Sequence, residues 1–93
     1  MTMNIQATKP ITVLYFGDLM AQLSIGREQF RLPPNVKDVT TLMRMLALRG
    51  GDWKKAFDQP RATLRITVNK KDADAATTLN GGDEVAFIEM LAL

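Results

Sequence analysis

Apolar and polar positions recur along the chain in several distinct registers, and each register predicts an element. Ile11-Thr12-Val13-Leu14-Tyr15-Phe16 is rich in β-branched and aromatic residues, which predicts a strand over residues 11–16. After Thr12 its apolar residues fall on both faces, as expected of a strand covered on both sides. Gly17-Asp18 breaks the run, and the helical spacing of Leu19, Met20 and Leu23 predicts a short helical turn before Gly26. Residues 27–32 alternate in part, with Phe30 and Leu32 on one face and Gln29 and Arg31 on the other. That pattern predicts a half-exposed strand stopped by Pro33-Pro34.

The clearest helix is predicted over residues 36–49. Asn35 can cap it, Asp38 suits its positive end, and Val39, Leu42, Met43 and Leu46 form a stripe spaced by three and four. Gly50-Gly51 supplies the stop, and Asp52 can cap a second short helix with Trp53 and Phe57 one turn apart. Such stripes belong to a core far more often than to a ligand pocket. Leu64 to Asn69 alternates cleanly and predicts a strand with one buried face, followed by a polar turn with room for a brief strand. Asn80-Gly81-Gly82-Asp83 reads as a tight turn whose glycines serve positive φ, since no strand-to-helix context supports a phosphate loop. Residues 84–90 form the last strand, apolar on both faces at Val85, Ala86, Phe87 and Ile88, as a central strand is.

The order is strand, strand, helix, strand, strand. A first and a last strand that are both doubly apolar would lie parallel at the sheet centre, with the main helix across one face. The expected fold class is α+β: a β-grasp, or ubiquitin-like, mixed sheet. Residues 11–93 would form one domain behind a lead-in over residues 1–10.

Composition narrows the chemistry. A chain of 93 residues with 46% apolar and 24% charged positions suits a single globular core. It has no cysteine and no histidine, which removes disulfides, a thiol nucleophile, and the commonest base and metal ligand. The acidic pairs Asp72/Asp74 and Asp83/Glu84 fall in turns and read as solvated, so neither a metal nor another cofactor is expected. Net charge is +2 with interleaved signs, which argues against a nucleic-acid partner. The apolar runs are too short to span a membrane, and the polar N-terminus lacks a signal core, so a cytoplasmic protein is expected.

The stretches ITVLYFGDL, FRLPPNVKDVTTLMRML, RITVN and above all LNGGDEVAF resemble the MoaD/ThiS family of ubiquitin-fold sulfur carriers. Within it the likeness is greatest to the molybdopterin synthase small subunit, and it covers residues 11–92. The resemblance implies a subunit in molybdenum cofactor biosynthesis that has no catalysis of its own and works with an adenylating, activating enzyme and a synthase large subunit. In that family the last strand leads into a tail ending in Gly-Gly, whose carboxylate becomes a thiocarboxylate and enters a partner active site. Here Met90, Leu91 and Ala92 lead to Leu93, so Leu93 stands at the position of the reactive carboxylate. Gly81-Gly82 cannot substitute, because cutting there would remove a central strand from a domain with only ~5–15 kcal/mol of stability.

Two readings follow. In one the protein is a sulfur carrier whose tail, Leu91-Ala92-Leu93, differs from the family ending, and a channel shaped for glycine would reject the leucine side chain. In the other it is a β-grasp interaction module that does not conjugate. Its apolar end, Phe87, Ile88, Met90, Leu91 and Leu93, would then be a partner patch, open also to a homodimer.

Overall fold

The structure, a computed structural model, describes residues 9–59 and 62–89. Eight elements follow in chain order: β1 (Ile11–Gly17), α1 (Asp18–Leu23), β2 (Arg27–Phe30), α2 (Val39–Ala47), α3 (Gly51–Phe57), β3 (Leu64–Val68), β4 (Lys71–Asp72) and β5 (Glu84–Glu89). The strands form one mixed sheet in the order β2-β1-β5-β3-β4. β1 and β5 run parallel in the register Val13–Val85, Tyr15–Phe87, while β2 and β3 flank them antiparallel. The doubly apolar first and last strands are therefore neighbours, as expected, and the arrangement is the β-grasp.

One side of the sheet carries the core. Val13, Tyr15, Val85 and Phe87 are fully buried there, against Val39, Leu42 and Leu46 of α2 and Phe57 of α3. Tyr15 and Phe87 stack at 6.2 Å and 16° between planes, and the Phe57 ring meets Phe87 edge-on at 5.0 Å. Offset and edge-on arrangements of this kind add to the area term. Trp53 and Phe57, one turn apart on α3, stack as the spacing predicts. The expectation that Phe87 joins a surface patch is corrected here: its alternation with Val85 turns it to the helix side, where it is fully buried.

Two helix starts also differ from the sequence reading. The main helix begins at Val39, three residues later than expected, because Asp38 and not Asn35 is its cap. The Asp38 carboxylate accepts the Thr41 N–H at 2.9 Å, and the Thr41 hydroxyl accepts the Asp38 N–H at 3.1 Å. This reciprocal pair satisfies two N–H groups that a helix end leaves orphaned. Residues 33–36 instead close a turn, with the Val36 N–H donating to the Pro33 carbonyl. α3 is capped by Gly50 at φ 79°, which places Asp52 inside its first turn and not at the cap.

The predicted turn after β3 is a two-residue hairpin. Val68 pairs with Lys71, and the intervening Asn69 and Lys70 both have positive φ, 53° and 70°. In the Asn80–Asp83 turn Gly82 stands at φ 89°, while the Asp83 N–H donates to the Asn80 carbonyl. Glycine is the residue such a third turn position favours. The expected lead-in falls almost wholly on residues 1–8, outside the described residues, and so does position 90 of the expected last strand.

Candidate partner-docking face

The pleat that buries Tyr15 and Phe87 turns their neighbours to the opposite side of the sheet. Thr12, Leu14 and Phe16 of β1 lie there beside Glu84, Ala86 and Ile88 of β5, in direct register. The buried residues of all three helices belong to the core on the other side, and none of Leu14, Phe16, Ala86 or Ile88 does. Phe16 is 44% exposed, Leu14 and Ile88 are half-buried, and Ala86 is buried between its neighbours. Among the described residues no helix covers this side of β1, against the expectation of a strand covered on both faces. A run apolar on both faces signals burial, but the same run suits a strand that leaves one face for a partner.

Two cations border this strip. Register places Arg27 of β2 beside Leu14, and Arg65 of β3 beside Ile88. Arg65 also reaches Asp72 at 3.2 Å, but both side chains are largely exposed, so the pair contributes little to stability. Gln29 donates to the Thr12 hydroxyl at 3.0 Å and closes the strip on the β2 side. The surface is apolar at its centre, with Arg27, Gln29, Glu84 and the Arg65–Asp72 pair around it. Patches of that build mark docking surfaces more than catalytic clefts.

The strip runs to the end of β5. Its last described residue, Glu89, pairs with Gly17 on one side and Leu64 on the other, so this end of β5 lies between two strands. Of the residues expected to work at this end, Ile88 lies on the open face and Phe87 lies in the core. Met90, Leu91, Ala92 and Leu93 fall outside the described residues. Sequence reasoning missed Leu14, Phe16, Arg27 and Arg65. The alternation of Leu14 and Phe16 with Val13 and Tyr15 is the available signal, and it suits a buried face equally well.

Among the described residues no group of three or more acidic side chains is placed to hold a metal. A cavity of about 300 Å³ opens on the helix side between α2 and β3, lined by Met43, Arg44, Phe57, Leu64 and Ile66 among others. No described helix is long and apolar enough to cross a membrane.

The model of the ThiS family matches residues 13–92. No curated protein matches the chain. Among solved structures, a protein of Haloferax volcanii superposes with a TM-score of 0.76 at 14% identity, over 99% of this chain and 92% of that one. A putative molybdopterin converting factor subunit 1 from Pyrococcus furiosus gives 0.70 at 20% identity, covering 90% and 100%. Urm1 from Trypanosoma brucei gives 0.71 at 21% identity, covering 98% and 99%. At these identities the structural likeness shows the fold.

Proposed function

The chain belongs to the ThiS family of ubiquitin-like sulfur carriers, and from that premise we propose that it works by docking, as the small subunit of a molybdopterin synthase-like pair. The open face of β1 and β5 would seat a partner, while the segment beyond Glu89 is delivered to the partner's active site. The partners are an adenylating, activating enzyme and a large catalytic subunit. The observation that carries this reading is the apolar strip Leu14-Phe16-Ile88, which leads to the strand end where the delivered segment begins. The Pyrococcus furiosus relative, named a putative molybdopterin converting factor subunit, supports the same assignment.

In this reading the protein's own side chains perform no chemistry. Its contribution is to hold a C-terminal carboxylate at a fixed place relative to a docked surface, which is positional catalysis supplied to another protein. The delivered segment includes residues 91–93, with Leu93 at the family's reactive position.

Titration calorimetry with a MoaD-type activating enzyme tests the docking. We expect a saturable complex, weakened at least tenfold by Phe16→Asp and by Ile88→Asp, with neither change altering the folded state. Complex formation that ignores both substitutions would remove the open face from the reading. A complex that forms and depends on Phe16, yet never modifies any form of the tail, would favour the interaction-module reading.

A further inference from the structure

Glu89 is the one buried charged side chain among the described residues, and it sits at the last position of β5. It is 2% exposed and alternates with Val85 and Phe87, so it faces the helix side and has no place on the docking strip. The Thr63 hydroxyl donates a 2.9 Å hydrogen bond to its Oε2. Thr63 immediately precedes β3, whose first residue, Leu64, is Glu89's cross-strand partner. On the β1 side its partner is Gly17, which has φ 71°. The end of β5 is thus paired on both edges and tied by its side chain to a third point.

An apolar residue would fill this position without the cost of desolvating a carboxylate. What the carboxylate adds is direction, because a hydrogen bond to its oxygen is oriented where an apolar contact is not. Every buried side-chain polar atom among the described residues has a partner, so the site is built to hold this group.

We propose that Glu89 and Thr63 form a latch that holds the Glu89 end of β5 in place against the start of β3. Glu89 is then a positioning residue for whatever is delivered beyond it. The purpose of the latch rests on the docking reading above, but its geometry does not. Without it, the pairing of β5 opens at Ile88 and Glu89 and the delivered carboxylate samples a wider volume at the partner's active site.

The test compares Thr63→Val, Glu89→Leu and Glu89→Gln. Amide hydrogen exchange at Leu64, Ile88 and Glu89 is read on the free protein together with the urea midpoint. We expect Thr63→Val and Glu89→Leu to speed local exchange about tenfold, roughly the loss of one hydrogen bond. Glu89→Leu should keep or raise the urea midpoint, and Glu89→Gln, which retains an acceptor, should exchange like the parent. In a chain with Leu93 replaced by Gly-Gly, the same two variants should lower the rate of modification by an activating enzyme about tenfold at unchanged docking affinity. Unchanged local exchange overturns the latch. So does exchange that rises only in proportion to a fall in global stability. A parent and variants modified at equal rates would overturn the positioning role. If nothing is modified, the carrier reading and the positioning role fall together, while the exchange rates still decide the latch.

Discussion

The hydroxyl of Tyr15 donates a 2.6 Å hydrogen bond to the Glu28 carboxylate, joining the floor of the core to the edge strand. The same carboxylate accepts two bonds from Arg49, at 2.8 and 3.0 Å, and the Arg49 guanidinium lies 4.4 Å from the centre of the Trp53 ring. β1, β2 and the α2–α3 turn thus meet at one ion pair. Burial first, and then the hydrogen bond and charge of Glu28, push the Tyr15 hydroxyl far above its ordinary value of 10.0. The neutral form is therefore the folded form, and its stabilisation is complete below that value and lost as pH rises through and beyond it. Tyr15 is the only tyrosine. Phenolate absorbance should then appear only together with alkaline unfolding, and Tyr15→Phe should lower stability at neutral pH by about 1.5–2 kcal/mol. A phenolate titrating near 10 in a folded protein would contradict this.

At the acid end Glu28 carries the opposite sign. Burial alone would push its carboxyl upward, but the hydrogen bonds from Arg49 and Tyr15 and the charge of Arg49 outweigh that and hold it below its ordinary value of 4.5. A depressed carboxyl stabilises the fold above the unfolded value, and that contribution is lost as pH falls through the folded one. Glu28→Gln should therefore flatten the decline of the urea midpoint between pH 5 and the onset of acid unfolding, a window set by the ordinary glutamate value. An unchanged acid slope would show that other carboxyls govern it.

The β3–β4 hairpin offers a gain. Lys70 holds φ 70°, a left-handed conformation that costs a residue with a side chain roughly 1–2 kcal/mol and glycine far less. Lys70→Gly makes the loop Asn-Gly, the preferred pair for such a turn, and should stabilise by about 1 kcal/mol. Lys70→Ala keeps the strain and should fall within about 0.5 kcal/mol of neutral. Chemical denaturation of both variants checks the difference.

The two faces of β5 and β1 should respond oppositely to substitution. Phe87→Ala should cost about 3–5 kcal/mol, because it opens a void beside Tyr15 and Phe57. Phe16→Asp, on the open side, should leave the urea midpoint within about 0.5 kcal/mol of the parent. Equal losses at both positions would mean that the open face is itself core.

The sheet was legible in the sequence because its periodicities are local. Alternation from Leu64 to Asn69 and the two doubly apolar runs place β1, β3 and β5 without knowledge of their partners. The helix start is not legible because Asn35 and Asp38 are both good caps, and only the return bond from Thr41 decides between them. Leu14 and Phe16 suit a buried face in the sequence because apolar character does not distinguish a covered face from an open one. The ties made by Glu89 with Thr63 and by Tyr15 with Glu28 span 26 and 13 residues and leave no periodic trace. Such contacts become visible only once the sheet brings their strands together.

The most direct measurement is intact-mass spectrometry of the C-terminal peptide after incubation with a MoaD-type activating enzyme, ATP and a sulfur donor. Four chains are compared: one ending at Leu93, one with Leu93 replaced by Gly-Gly, and each of these with Phe16→Asp. We expect sulfur in place of one carboxylate oxygen in the Gly-Gly chain and little in the Leu93 chain, because a leucine side chain obstructs a channel shaped for glycine. Phe16→Asp should abolish the conversion wherever it occurs. Conversion of the Gly-Gly chain that is indifferent to Phe16→Asp, or a Gly-Gly chain that is never converted although it remains folded, would contradict a carrier that works through its open face.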